Sequence, residues 1–474
     1  MLTDRYVTYE NKCALTTSLW SIMLQYYIKK GSQAYEQAVP YTVTNMRTTA
    51  AAHAQQIIPY FKTISHLRII DVGAGIGQHG FHLANALLTY CLHNSTDNYS
   101  FELILADPSP CIIEYWHTHP QLKPLIEKGI ISTHQLTGNL SQDLQALNQT
   151  HPIHAYIFNY VLDSLPFIPV INGLPQKICL KAKRKDISHN QFIGQISDLK
   201  VSFSPDYSKE TEQQLPTHLY KSYQDKSYTF PITAIEIIKT ISQQTHTQVI
   251  LVNDKGHITP DEFSTDSALD FILEGCYSAP INFHALLPHI SNTFSHTITG
   301  QPHNPMKSLV IHKNKKPHTM SCAEVTSICH YYKHHHLTCP DHALALCKIL
   351  EYDAFTIELI SQATLSSITP SLEAALKTCL AHRFVKNVDF TLLHLARIYR
   401  NSKHMEQSLH YLQQYKTQQG DHSALNFELG LHFESIDSEK AIMHLNIAAQ
   451  DPLLNTASQN KISEIQHKNL KYET

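Results

Sequence analysis

The chain has 474 residues, of which 42% are hydrophobic and 16% charged, and its net charge is -3. Wholesale disorder is excluded, because it needs low hydrophobicity with high net charge, and so is the broad basic field of a general nucleic-acid binder. With 14 glycines and 22 prolines the chain is neither collagenous nor of low complexity.

Residues 1–60 read as a helical N-terminal segment, with Leu19, Trp20, Met23, Leu24 and Tyr27 at helical spacing. The texture changes at Leu67. Leu67–Val72 reads as a short apolar strand that runs into a glycine-rich turn, followed by a helix carrying Phe81, Leu83, Ala84, Leu87 and Leu88. Further strands are predicted at Phe101–Ala106, Gly129–Ser132, Ala155–Phe158, Gln248–Val252 and Ser308–His312, the last as an antiparallel edge. Short apolar strands alternating with helices predict an α/β fold, a doubly wound Rossmann-like sheet over residues 61–317. Residues 168–230 interrupt the alternation and read as an inserted β-meander or lid. Their basic run Lys181–Lys185 suits a solvated strand edge, where lysines discourage pairing.

From residue 318 to 474 the pattern is all-helical. Leu395–Arg400 matches Leu429–Glu434 at a spacing of 34, and Ser408-Leu409 matches Ala441-Ile442 at 33. A period near 34 resembles the tetratricopeptide repeat, so the tail is expected to be a helical-repeat domain that recruits a protein partner. Ten cysteines without a CxxC pair point to a reducing compartment. The N-terminus lacks a basic region ahead of an apolar stretch, and no run of 18 apolar residues occurs. The expectation is a cytoplasmic protein with no membrane and no nucleic-acid partner. The Cys/His-rich stretch Cys322–Cys347 lacks zinc-ligand spacing, so no metal site is assigned.

The strongest motif is Asp71-Val72-Gly73-Ala74-Gly75-Ile76-Gly77 between strand and helix. Glycines at such a turn let backbone approach a ligand where a Cβ would clash. The dinucleotide fingerprint places its third glycine where Gln78 stands, one residue later than Gly77. Asp71 would face a pyrophosphate unfavourably, yet it suits the ammonium or sulfonium of S-adenosylmethionine. Asp107, in Ala106-Asp107-Pro108-Ser109-Pro110, ends the second strand and can accept both hydroxyls of a ribose. Asp71, Gly73, Ala74, Gly75, Gly77, Asp107, Pro108 and Asn159 are therefore the candidate cofactor-binding residues.

The fourth strand ends in Asn159-Tyr160-Val161-Leu162-Asp163-Ser164-Leu165-Pro166. Three catalytic roles suggest themselves there. The amide oxygen of Asn159 would orient an incoming N–H, Tyr160 would shield a sulfonium through its ring face, and Asp163 would accept a proton. The plainer alternative has Asn159 closing a strand and Asp163 capping the next helix.

Together these segments resemble the MidA family of S-adenosylmethionine-dependent methyltransferases, which includes assembly factors of mitochondrial complex I. The family's G-x-G motif, its acidic-x-Ser-Pro after the second strand and its Asn-Glu-x-x-Asp-Ala-Leu-Pro segment correspond to Asp71–Gly77, Asp107–Pro110 and Asn159–Pro166. Its Asp-Tyr-Gly after the fifth strand corresponds to Asn253-Asp254-Lys255-Gly256. The resemblance covers residues 60–315 and implies a class I methyltransferase sheet, S-adenosylmethionine as cofactor and a protein arginine as acceptor. Tyr160 stands where the family has glutamate, and Val39–Arg47 replaces the family's glycine-rich substrate segment. A catalytically silent scaffold that recruits a partner through its repeats is the competing function.

Overall fold

The computed structural model describes the whole chain except residues 1–5, 36–42, 94–99, 184–198, 207, 209–222, 224, 264–268, 270–271, 274–276, 303, 314–319, 335–336, 387–388 and 473–474. It divides into two compact units, Met1–Ser327 and Ile328–Thr474. The boundary falls inside the helix Cys322–His334, ten residues beyond the expected one.

In the first unit the N-terminal segment begins as a strand, not a helix: β1 is Tyr6–Cys13. Helices α1 (Leu19–Lys30) and α2 (Arg47–Ile57) follow. Next come β2 (His66–Val72), α3 (Gln78–His93), β3 (Ser100–Asp107), α4 (Pro110–Thr118), β4 (Ile131–Gln135) and β5 (Ala155–Asn159). The insertion contributes β6 (Ile168–Ile171), β7 (Leu174–Lys183), β8 (Lys200–Pro205) and β9 (Tyr228–Phe230). After the helix Ile232–Ser242 come β10 (Val249–His257), the two-residue strands β11 (Ile272–Leu273), β12 (Tyr277–Ser278) and β13 (Ile281–Asn282), then β14 (Ser295–Thr299) and β15 (Met306–His312).

The main sheet has the order β14-β15-β10-β5-β2-β3-β4. Strands β4, β3, β2, β5 and β10 pair in parallel, and β15 runs antiparallel between β10 and β14. This is a doubly wound α/β sheet of the class I methyltransferase type, with the antiparallel strand inserted before the last one. The all-parallel dinucleotide-binding sheet lacks that insertion. Strand β15 is thus not the edge; β14 is. The parallel strands are apolar on both faces because helices cover both: Ile69, Ile70, Leu103, Leu105, Ile157, Phe158, Ile250 and Leu251 are all buried. Beyond the carboxyl end of β2, between β3 and β5, lies the switch point where such sheets hold ligands.

The insertion builds a second, antiparallel sheet, β1-β7-β6-β9, with β8 also on β7. Lys181 pairs with Thr8 on one side and Lys200 on the other, so the basic run begins in a central strand and not at an edge. Arg184 and Lys185 lie outside the described residues. Helix α1 packs on this sheet through Leu19, Ile22, Met23 and Tyr26 against Ile178, Leu180 and Ala182, with Tyr35 at the rim of the same cluster.

The second unit is entirely helical among its described residues. Its helices include Thr391–Asn401, Met405–Gln419, Ser423–Phe433 and Ser438–Ala448. At the crossing of the last two, a Cβ on Gly430 would come within 2.6 Å of Leu445 Cγ, so only glycine allows this approach. Buried Ala396 occupies the corresponding position one period earlier. No helix among the described residues is long and apolar enough to cross a membrane.

Candidate functional site

The glycine turn caps β2 and feeds α3 as the sequence predicts. Gly73, Gly75 and Gly77 have φ values of +65°, +53° and +80°, a region that favours glycine. Ala74 N donates to Ala106 O at 3.1 Å, which ties the turn to β3. Trp116 of α4 donates from Nε1 to Gly75 O at 2.9 Å.

The turn is not bare. A Cβ at Gly73 would lie 2.8 Å from Val161 Cγ2, and one at Gly75 would lie 3.0 Å from the ring of Tyr35. What a Cβ would strike at these two positions is the chain's own side chains, Val161 and Tyr35. Tyr35 is the residue that sequence reasoning missed, and its position 72 residues before Asp107 left no local signal.

Asp107 is fully buried at the end of β3. Its Oδ1 accepts from Ser109 N at 2.9 Å, and its Oδ2 accepts from the Tyr35 hydroxyl at 3.1 Å and from Gly75 N at 3.3 Å. Burial raises its pKa to about 7, against the lowering effect of these three hydrogen bonds. Pro108 follows directly and leads into α4 through Ser109. The predicted acceptor of ribose hydroxyls thus does accept a hydroxyl, one supplied by the protein.

Asp71 departs from expectation. Its carboxylate is 1% exposed and does not face an open cavity. Its Oδ2 accepts from His79 Nδ1 at 2.9 Å, in the first turn of α3. His79 Nε2 meets His53 Nδ1 of α2 at 3.0 Å, and His53 Nε2 meets Asn253 Nδ2 of β10 at 2.8 Å. Asn253 Nδ2 also donates to Asn159 Oδ1 at 2.9 Å. The pKa of His53 is held well below the usual histidine value by burial and by the neighbouring His79. A carboxylate at a strand end can turn inward as readily as outward, and a histidine on the facing helix decides the matter here.

The three candidate catalytic residues are also redistributed. The oxygen of Asn159 is occupied by Asn253, and its buried Nδ2 has no partner. The residue thus offers a donor, not the acceptor predicted for it. Tyr160 has φ +55°, a conformation unusual for a bulky residue, and its N–H donates to Asn253 O at 2.9 Å. Its ring packs against the cluster of Met306, Cys322 and Ala323, which Val43 also joins. Burial raises its hydroxyl pKa further above the usual tyrosine range.

Asp163 is buried and paired with Lys255 Nζ at 3.4 Å, and Lys255 also donates to Ser278 Oγ at 2.5 Å. The helix-capping alternative belongs instead to Asp254, whose Oδ2 accepts from Leu162 N at 2.9 Å and Asp163 N at 3.1 Å. Burial raises both carboxyls, and the charge of Asp163 adds to the rise at Asp254. This cluster fixes the loop after β5, and the Asp163 carboxylate predicted to accept a proton is paired with Lys255. The replacement segment Val39–Arg47 lies partly outside the described residues.

Comparisons with known proteins give the following. No protein-family model matches the chain, and no curated protein matches it. Among solved structures, the chain is similar to a Burkholderia thailandensis protein inferred to be a methyl transferase and bound to S-adenosyl-homocysteine. The identity is 10%, with 58% of this chain and 79% of that one covered, at a TM-score of 0.40. A second, uncharacterized Burkholderia thailandensis protein of the same superfamily is also 10% identical, with coverages of 64% and 89% and a TM-score of 0.41. A Haemonchus contortus phosphoethanolamine N-methyltransferase, in complex with phosphoethanolamine and S-adenosylhomocysteine, is 9% identical, with coverages of 64% and 52% and a TM-score of 0.27.

Proposed function

We propose that the chain binds S-adenosylmethionine at the switch point of its main sheet and transfers the methyl group to a protein acceptor. The carrying observation is the Asp107 carboxylate, which receives a hydroxyl directly over the glycine bend. A ribose diol offers the same donors to the same oxygens. The strand order supports a methyl donor over a dinucleotide, and two buried carboxylates flanking the turn oppose a pyrophosphate.

In this reading Asp107 and the Gly75 backbone hold the ribose once the Tyr35 ring has moved aside. Gly73, Ala74 and Gly77 shape the bend, and Asp71 acts from behind it through His79. When bound, S-adenosylmethionine supplies an electrophilic methyl group on a sulfonium. The protein's contribution to an in-line displacement is then chiefly position. The helical pairs of the second unit, with a period matching a protein-recruiting repeat, support a macromolecular acceptor.

Calorimetric titration of the full chain with S-adenosylhomocysteine tests the donor. Heat of binding that is lost in Asp107→Ala is expected; no heat at millimolar ligand, in the wild type and in Tyr35→Ala alike, overturns the assignment. A second reading rests on Tyr35 itself: a silent scaffold whose donor seat is kept closed by its own tyrosine. It predicts binding to Tyr35→Ala alone.

A further inference from the structure

The buried chain Asp71–His79–His53–Asn253–Asn159 has a direction, and the direction follows from its first member. A carboxylate only accepts hydrogen bonds. His79 therefore carries its proton on Nδ1, leaving Nε2 as an acceptor. His53 must meet that acceptor with Nδ1–H, leaving its own Nε2 bare. Asn253 must then present its NH2, which donates both to His53 and to the oxygen of Asn159. One carboxylate thus sets two imidazole tautomers and two amide orientations, across positions 71, 79, 53, 253 and 159 of the sequence. Asp71, His79 and Asn253 are each at most 2% exposed and His53 6%, so water does not compete for these partners.

We propose that His53 and His79 are positioning residues that hold Asn159 with its amide nitrogen offered at the carboxyl end of β5, so that the ligand group recognised there is a hydrogen-bond acceptor. The buried, unpartnered Nδ2 of Asn159 is the second observation pointing to such a group. A guanidinium carries donors only and cannot satisfy this nitrogen. A carbonyl or carboxylate oxygen beside the methylated atom can. The arginine acceptor implied by family resemblance is accordingly replaced by a side chain that bears an oxygen acceptor. The ligand class rests on the proposed methyl transfer; the relay does not.

The test uses the full chain labelled with ring-15N histidine, with His53→Gln and His79→Gln to assign the two rings. Both rings are expected to carry a proton on Nδ1 and to leave Nε2 bare. Either ring found as Nε2–H or as imidazolium overturns the relay. Asn159→Asp then tests its far end. An aspartate keeps the oxygen that Asn253 needs, so both tautomers are expected to persist; a switch of either ring to Nε2–H would mean that Asn159 had been offering its nitrogen inward. His53→Gln retains one donor and one acceptor and should leave the Asn253 amide protons in place, whereas His53→Leu should shift them. For the ligand class, label from tritiated S-adenosylmethionine is expected on a glutamine-bearing peptide and not on its arginine counterpart, and the reverse result overturns it. Failure of S-adenosylhomocysteine to bind would remove the methyl-transfer reading and leave the histidine spectra unchanged.

Discussion

The hydroxyl of Tyr35 lies 3.1 Å from Oδ2 of Asp107, so a protein side chain takes the hydrogen bond that a bound ribose would make. The ring of the same tyrosine covers Gly75. In the proposed reading, a nucleoside seated here displaces the Tyr35 hydroxyl from Asp107.

Tyr35→Phe should tighten S-adenosylhomocysteine binding. The substitution removes a hydrogen bond to a carboxylate that the ligand must otherwise replace, a difference of about 1.5 kcal/mol or roughly tenfold in Kd. Isothermal titration of both proteins measures it. Equal affinities would show that the tyrosine does not compete.

Asp107 gives the site a pH dependence of definite sign. Its folded pKa, about 7, lies above the ordinary aspartate value of 3.8 because of burial. The folded state therefore binds this proton more tightly than the unfolded state does. Stability from this source is fully present below the unfolded value and is lost as pH rises through about 7. The full span is on the order of 4 kcal/mol, and Asp107→Asn should abolish the slope in urea titrations across that range. Ribose hydroxyls favour the ionised form, so S-adenosylhomocysteine affinity should rise with pH through the same window. Proton release on binding, read by calorimetry in buffers of different ionisation enthalpy, checks the second effect.

Lys255→Met should be severely destabilising. It leaves the buried Asp163 and Asp254 carboxyls without their cation, a loss of about 3–5 kcal/mol by analogy with other broken buried pairs. Adding Asp163→Asn should recover part of that loss. The double-mutant cycle in urea would refute the pairing if the two effects simply add.

Gly430→Ala tests the helical unit. The new methyl would strike Leu445, so a loss of about 1–3 kcal/mol from overpacking is expected. The loss should appear in the helical unit's thermal transition and leave S-adenosylhomocysteine binding unchanged. A stability equal to the wild type would show that the helices can part at no cost.

Much of the main sheet was legible because its parallel strands are buried on both faces and read as apolar runs, as in Ala155–Phe158 and Val249–Val252. The glycine turn was legible for a related reason, because its positive φ values favour glycine, and Asp107 stood out as an acid closing an apolar strand. Strand β14, Ser-His-Thr-Ile-Thr, sits half-exposed at the edge and carries no such run. Strand β1, Tyr-Val-Thr-Tyr-Glu-Asn-Lys-Cys, mixes apolar and charged residues because it pairs at the rim of a second sheet. The direction of the Asp71 carboxylate was not legible, since strand periodicity places a Cβ but not the partner that its oxygens find. Asp71 bonds to a histidine in the first turn of the helix after the bend, and that histidine leans on another from α2. The seating of Tyr35 was hidden for the same reason, because only the folded chain brings the segment after α1 to the end of β3.

Strand β1 is hydrogen-bonded along most of its length to β7, more than 160 residues later in the chain. A ribosome must therefore reach Lys183 before β1 has its partner strand. Until then the backbone groups of β1 lack the strand that satisfies them. Deleting β1 would not tidy the molecule but strip the flank from β7, and a raw strand flank invites other copies to stick. A version lacking Tyr6–Cys13 should accordingly aggregate more than the 474-residue chain, as light scattering would read.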